Sequence, residues 1–300
     1  MPDWEIHQLE TPESLQGIEE LQDVIWPGSM REIVPVHMLL AAIYNGGLVL
    51  GAFSKSRMIG MLFGFPGMYT SNGDLKMKHC SHMLGVHPDW RDSGLGFALK
   101  CAQRQLVLSQ GLNLITWTYD PLLSRNANLN ISKLGAVCNT YRRSEYGQML
   151  DTLNAGLDSD RFQVEWWLDT CRVERSLDDH HKDEKRLGNL PGDDIEIVSI
   201  SDDLHPPRSF PDLNHTLLLV EIPNDFLVLK ARDILLAKAW RQTSREIFEF
   251  VFANGYSVID FLVGNGHCYY VLEYLETSNI IYGRQCIRKA GSMSQENGQY

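Results

Sequence analysis

The stretch that decides the fold is Val86-His87-Pro88-Asp89-Trp90-Arg91-Asp92-Ser93-Gly94-Leu95-Gly96, because the periodicity of the chain changes across it. Residues 79–86 before it predict a strand, and residues 97–110 after it predict a helix. Backbone N–H groups at a helix start lack intrahelical partners, and the helix dipole favours negative charge there. Gly94 and Gly96 carry no Cβ atom that would hold a phosphate away from the backbone. A strand, a glycine loop and a helix in this order therefore predict a phosphate-binding site.

Two familiar phosphate-binding motifs are absent from the sequence. No G-x-x-x-x-G-K-[ST] string occurs, and Leu99 stands where a third glycine would complete G-x-G-x-x-G. These absences disfavour nucleoside triphosphatases and dinucleotide-dependent enzymes. Positive charge at the loop comes from Arg91, and we expect Lys100 and Arg104 to add more from the following helix.

The rest of the chain has the pattern of a mixed α/β protein. Strands are predicted at 4–9, 48–53, 58–65, 114–119, 136–141, 162–168, 195–200, 217–222, 257–263 and 269–275. Helices are predicted from Thr11 to the stop at Trp26-Pro27-Gly28, and at 35–44, 124–134 and 225–254, with loops at Pro66-Gly67 and 71–74. The strand–helix–strand order implies a mixed sheet flanked by helices, with at least one parallel crossover.

Composition excludes several classes of protein. The 300 residues carry a formal net charge of -11, which disfavours nucleic acid and anionic membranes as partners. The six cysteines are scattered and no Cys/His cluster has zinc spacing, so we expect free thiols and no metal. His180 and His181 are adjacent in a charged run, which favours a solvated loop over a pair of metal ligands.

The sequence begins without a signal peptide and has no apolar run of about 20 residues, which predicts a cytoplasmic protein.

Two motifs resemble those of one superfamily. The string Arg91-Asp92-Ser93-Gly94-Leu95-Gly96 matches the acyl-CoA signature R/Q-x-x-G-x-G/A of the GNAT superfamily of N-acyltransferases, and Lys133-Leu134-Gly135-Ala136 resembles its K-L-G-F/A helix end. The resemblance covers roughly residues 3 to 170. Within the superfamily, Asp120-Pro121-Leu122, Arg125-Asn126-Ala127 and Val220-Glu221-Ile222-Pro223 resemble an uncharacterised "predicted acetyltransferase" branch with extra C-terminal α/β sequence.

The resemblance implies a GNAT-type twisted mixed sheet and transfer of an acetyl or other short acyl group from acyl-CoA to a primary amine, without a metal. It implies that backbone N–H groups of Asp92, Ser93, Gly94, Leu95 and Gly96, beside Arg91, hold the CoA pyrophosphate. The strand end Leu84-Gly85-Val86 would pair with the pantetheine arm and polarise the thioester carbonyl. Asn126 is a further cofactor-binding candidate.

The motifs do not decide which residues are catalytic. Many members of the superfamily carry a tyrosine as general acid where this chain has Ile131, so Tyr119, Tyr141 or a water is expected to replace it. His82 is the candidate base, with a hydrogen-bonded structural histidine as the alternative. Candidates for binding the acceptor substrate are Asp120, Arg142 and Arg143, with a strand-end cap and exposed ion pairing as the alternatives.

The predicted organisation is a transferase domain at 1–175, a charged linker at 176–194, a smaller degenerate GNAT-like α/β region at 195–288 and a flexible tail at 289–300. We expect the second region to shape the acceptor pocket or a homodimer. The acceptor is expected to be a small-molecule amine or an amino acid. Two alternatives stay open: a non-catalytic acyl-CoA-binding or sensing module, motivated by Ile131, and a purely structural relative that binds no CoA.

Overall fold

Eleven strands form one mixed sheet in the part of the chain that the structure describes. The computed structural model describes residues 3–28, 33–147, 155–179, 194–199, 204–207, 209–264 and 266–274. The strands are β1 (Glu5–Gln8), β2 (Leu48–Ser54), β3 (Arg57–Ser71), β4 (Asp74–Val86), β5 (Leu114–Tyr119), β6 (Val137–Arg142), β7 (Arg161–Trp167), β8 (Ile195–Val198), β9 (Leu217–Ile222), β10 (Tyr256–Gly264) and β11 (His267–Tyr274).

The described helices flank this sheet. They are α1 (Ile18–Ile25), α2 (Val36–Tyr44), α3 (Leu95–Ser109), α4 (Ser124–Ala127), α5 (Cys171–Asp179), α6 (Phe226–Arg232) and α7 (Ile234–Ala253). A π-helical segment, Asn128–Lys133, continues α4. The prediction of a mixed α/β fold with helices around a mixed sheet is confirmed.

The strand order is β1-β2-β3-β4-β5-β7-β6-β10-β11-β9-β8. Two neighbouring pairs, β4–β5 and β8–β9, are parallel, and the other pairs are antiparallel. The strands of the second half join those of the first where Val258 of β10 lies opposite Cys138 of β6. The two halves therefore share one sheet. Most of the predicted linker, at 180–193, and the predicted tail at 289–300 lie outside the described residues.

The two faces of the sheet are covered by different helices. On β2, Val49 packs in a cluster with Ile18 of α1 and Leu39 of α2. Its neighbour Leu50 packs in a second cluster that contains Leu99 of α3, because successive strand residues point to opposite faces. This second cluster continues across the junction of the halves into α7, so the halves also share a core.

Three predicted elements differ from the structure. The first helix begins at Ile18, because Thr11 and Ser14 close a turn on each other (Ser14 N–H to Thr11 Oγ1, 3.2 Å). The predicted loop at Pro66-Gly67 lies inside β3. Pairing between β2 and β3 ends at Gly64, so Pro66 lies where β3 has an open edge and needs no N–H donor on that side.

The long helix predicted at 225–254 is two helices. Asp233 is extended and its carboxylate accepts hydrogen bonds from the N–H groups of Leu235 and Leu236, both at 2.9 Å. This aspartate caps the start of α7. The helix is therefore interrupted at Asp233, although the helical spacing of apolar residues continues past it. The short helix α5 was not predicted.

Candidate functional site

The strands β4 and β5 pair at only two positions. His79 lies opposite Ile115 and Cys80 opposite Thr116, and beyond them the two strands separate. On its other side β4 stays paired to β3 as far as Val86. The residues of β4 after Cys80 therefore present one open backbone edge, where an extended ligand can pair as an added strand.

A β-bulge lies at the start of this open edge. In the register of β3 against β4, Phe63 lies opposite Met83 and Gly64 opposite Ser81, which leaves His82 as the extra residue. A bulge bends its strand and turns a side chain in a new direction. Here the bulge places His82 at the opening between the separating strands.

A cavity of about 590 Å³ fills the space between β4 and β5. Gln22 of α1 and Trp26, the residue after that helix, line it on one face of the sheet, and Asn126 and Leu129 line it on the other. Arg241 of α7 and Phe226 of α6 also line it, so the second half contributes to its wall. The cavity is thus lined from both faces of the sheet.

The glycine loop leads from the open edge of β4 into α3. Gly94 has a φ of 83° and precedes the helix, whose first backbone bond runs from the N–H of Ala98 to the carbonyl of Gly94. The N–H groups of residues 95–97 consequently have no partner in the helix. A Cβ atom on Gly96 would lie 3.7 Å from Leu84 and 3.8 Å from Leu129, so this glycine sits against two residues of the cavity wall.

The charges at the loop are exposed. Arg91 and Asp92 are exposed, and Arg125 of α4 forms an ion pair with Asp92. Of the two cations expected to follow, Arg104 donates to the carbonyl of Leu168 (2.9 and 2.6 Å), and Lys100 is buried in the cleft. The expectation that these two assist Arg91 at the loop is wrong, because both turn away from the loop.

His82 lines the cavity and packs against the rings of Phe63 and Phe65, with each pair of ring centroids 5.8 Å apart. Burial among these rings lowers the pKa of His82 below its ordinary value of 6.5. The imidazole is therefore neutral at pH 7 and can accept a proton. Next to it, an apolar groove of about 580 Å³ runs along α2 and β3.

The two tyrosine candidates differ in position. Tyr119 lines the cavity, but its hydroxyl lies 3.1 Å from that of Tyr270, which in turn donates to the carbonyl of Pro121 (2.8 Å). Tyr141 donates to Asp160 (2.8 Å) and is not among the cavity-lining residues that the structure describes. Burial raises the pKa of both phenols above the ordinary value.

The three candidates for binding the acceptor are all engaged within the protein. Asp120 lines the cavity, accepts from the N–H of Leu122 (2.9 Å) and forms a buried two-point ion pair with Arg241. Arg142 donates to Gln163 (2.6 Å), and Arg143 pairs with Glu249. Neither arginine lines the cavity over the described residues.

Sequence reasoning did not place Lys100 or Arg241 in the cavity: it expected Lys100 at the glycine loop and made no site prediction for Arg241. Lys100 had a signal: it lies among Leu99, Gln103 and Val107, the residues that α3 buries. A lysine inside the buried face of a helix is rare. Arg241 had no comparable signal, because its partner Asp120 lies 121 residues away in the sequence.

Two further properties concern the described residues as a whole. No three of their His, Cys, Asp and Glu side chains form a cluster that could hold a metal ion. None of the helices in those ranges combines the length and the apolar composition needed to cross a bilayer.

The comparisons with known proteins return structures but no sequence family. No protein-family model and no curated protein matches the chain. Among similar solved structures, Arabidopsis thaliana NAA60 with acetyl-CoA is 13% identical, with a TM-score of 0.43 over 55% of this chain and 99% of that chain. Arabidopsis thaliana Naa50 with the bisubstrate analogue CoA-Ac-MVNAL is 14% identical, with a TM-score of 0.41 over 54% and 97%.

A third similar structure is the ribosomal-protein-S18-alanine N-acetyltransferase from Escherichia coli. It is 16% identical, with a TM-score of 0.38 over 54% of this chain and 92% of that chain. The likeness falls on the N-terminal portion of the chain.

Proposed function

We propose that this chain is an N-acyltransferase that moves an acetyl or other short acyl group from acyl-CoA to a primary amine. The observation that carries the proposal is the open edge of β4, which begins at a bulge, ends at a glycine loop and borders a cavity lined from both faces of the sheet. Acyl-CoA has three parts in the same order: an acyl thioester, an extended pantetheine arm and a pyrophosphate.

Each part of the donor has a matching element. Backbone N–H groups of residues 92–96 would hold the pyrophosphate, because they lie at a helix start that favours anions. The backbone of Leu84, Gly85 and Val86 would pair with the amides of pantetheine. The thioester would then lie near His82 at the bulge, where a strand N–H can stabilise an oxyanion.

The reaction follows from this placement. The acceptor amine attacks the thioester carbonyl carbon, and the C–S electron pair leaves with the sulfur. His82 takes the proton that the amine nitrogen loses, which its neutral imidazole allows. The products are an amide and the CoA thiolate, which becomes the thiol when it is protonated. The acceptor enters from the face of α1 and α2, and a small amine or an amino acid is the class we propose.

A second candidate function is a non-catalytic acyl-CoA-binding module. The observation that favours it is Ile131, a fully buried apolar side chain at the position where the superfamily often has its acid. This candidate predicts binding of acyl-CoA with no turnover on any amine. Incubation with acetyl-CoA and a panel of amino acids, polyamines and peptides separates the two, with release of free thiol as the readout.

The donor site is tested by Gly96→Val. The valine Cβ has room in the empty fold, since it meets only side-chain atoms at 3.7 Å or beyond, and the added side chain would occupy the phosphate approach. Isothermal titration with acetyl-CoA should show at least about a tenfold loss of affinity, or ~1.4 kcal/mol. Gly264→Val is the matched control, because a Cβ there meets no atom within 4 Å. Equal affinity in Gly96→Val and the original protein would refute the pyrophosphate site.

A further inference from the structure

The side-chain amine of Lys100 lies at the closed end of the cleft between β4 and β5. Its Nζ atom is 2.8 Å from Ser81 Oγ and 3.5 Å from the centre of the Trp117 ring. Ser81 and Trp117 are the first residues beyond the last paired positions of the two strands. The side chain of Lys100 therefore reaches from α3 through to the point where the strands part.

Lys100 has no counter-charge among the described residues. Its side chain is 2% exposed, and its hydrogen bonds go to two neutral oxygens, those of Ser81 and Gln103 (3.2 Å). Burying a cation without a carboxylate is costly, and an apolar side chain of similar length would stabilise the fold as well or better. Because burying this lysine in the cavity wall costs folding free energy, its presence indicates that it interacts with a charge on a bound ligand.

We propose that Lys100 is the catalytic acid that protonates the departing thiolate of CoA. This assignment rests on the proposed acyl transfer and supplies the proton donor that Ile131 cannot supply. The acid thus comes from the helix that follows the glycine loop, and not from the segment that contains Ile131.

The step balances with two groups of the chain. As the C–S bond breaks, its electron pair stays on sulfur, and a proton passes from Lys100 Nζ to that sulfur. CoA leaves as the thiol and Lys100 becomes a neutral amine. The proton released by the acceptor nitrogen goes to His82. Exchange with solvent through the cavity then returns a proton to Lys100 and removes one from His82. The net reaction converts an amine and a thioester into an amide and a thiol.

The surroundings of Lys100 suit an acid for this leaving group. Burial lowers its pKa well below the ordinary value, and nearby Cys80 opposes this shift. The ordinary pKa of lysine, about 10.4, lies above that of a thiol such as cysteine, about 8.5, so a less basic amine than ordinary lysine transfers its proton to a thiolate more readily. The other titratable neighbour is His79 of β4, which its own burial keeps neutral with a pKa of about 4.

Further charges line the same cavity without pairing with Lys100. These groups are Asp120 and Arg241, which pair with each other, together with Asp158 and Arg161. On β5 and α3 the direct contacts of Lys100 are the uncharged Trp117 and Gln103. The alkaline limb of the pH–rate profile should therefore report Lys100.

The test is Lys100→Met, which keeps the length of the side chain and removes the proton. The variant should bind acetyl-CoA within threefold of the original protein, while kcat falls by about 100-fold or more. The original protein should lose rate at alkaline pH as Lys100 deprotonates, and the variant should lack that limb. Lys238→Met, on the exposed face of α7, is the matched control and should change neither property.

Several results would overturn the assignment. One is a kcat within threefold of the original, another is an unchanged alkaline limb, and a third is an acyl group found on Lys100 itself by mass spectrometry. Lys100→Gln repeats the measurement if the methionine variant does not fold, as judged by circular dichroism. Acyl-CoA binding with no turnover by the original protein would refute the transfer reaction as well, whereas turnover with an unaffected Lys100→Met would refute only the acid.

Discussion

Removing Arg241 should cost the protein much of its stability. Its guanidinium donates to both carboxylate oxygens of Asp120, one of them at 2.9 Å, and the two side chains are 4% and 10% exposed. Arg241 belongs to α7 and Asp120 to the end of β5, so the pair joins the two halves of the chain. Breaking it by Arg241→Met leaves a buried carboxylate without its main partner.

The magnitude follows from what Asp120 retains. Loss of one partner of a buried ion pair costs roughly 3–5 kcal/mol. Asp120 keeps the N–H of Leu122 at 2.9 Å and Arg161 at 3.9 Å, which places the cost near the lower end, about 3 kcal/mol. That value corresponds to roughly a 150-fold shift of the unfolding equilibrium. Replacing both partners, in Asp120→Asn with Arg241→Met, should cost less than the single change, because the uncompensated charge is gone.

The assay is equilibrium unfolding in guanidinium chloride, followed by tryptophan fluorescence and by circular dichroism. Arg143→Met is the control, since Arg143 pairs with Glu249 at the exposed surface and its loss should change stability little. If Arg241→Met lowers stability by less than about 1 kcal/mol, or the double variant is the less stable of the two, the pair does not hold the halves together as argued.

Two other measurements probe the base and the helix break. In the proposed reaction the neutral form of His82 accepts the proton, and its pKa lies below 6.5, so the transfer rate should rise with pH to a midpoint below 6.5. His82→Gln should remove that acidic limb and lower kcat about 100-fold, and a retained limb would assign it elsewhere. Asp233→Ala should cost about 1 kcal/mol in guanidinium unfolding by removing the cap of α7. An unchanged midpoint would mean that water replaces the carboxylate.

Local signals in the sequence were enough for most strands and for the loop. The predicted strands at 114–119 and 217–222 coincide with β5 and β9, because short apolar runs between turn residues leave few alternatives. The glycine loop was predicted from residues 86–96 alone, since its N–H donors belong to the backbone. These features depend on neighbours in the sequence, which a single chain displays directly.

The parts of the site that the sequence did not reveal depend on distant contacts. The separation of β4 from β5 depends on how the two strands pair, and the sequence of neither strand indicates it. The bonds of Tyr119 to Tyr270 and of Asp120 to Arg241 span 151 and 121 residues. For the same reason, the sequence alone does not indicate that Arg142 contacts Gln163 and that Arg143 pairs with Glu249.

The described strands of the second half have the same order as those of the first. In the first half β5, β6 and β7 lie in the order β5-β7-β6, and in the second half β9, β10 and β11 lie in the order β9-β11-β10. The two sets meet where β6 pairs with β10, so each is the other's edge partner. The parallel strands differ, because β8 pairs with β9 at all four of its residues, whereas β4 pairs with β5 at only two. Over its described length β8 therefore has no unpaired residues like those of β4 after Cys80, so in the function proposed above the acyl-CoA site belongs to the first half.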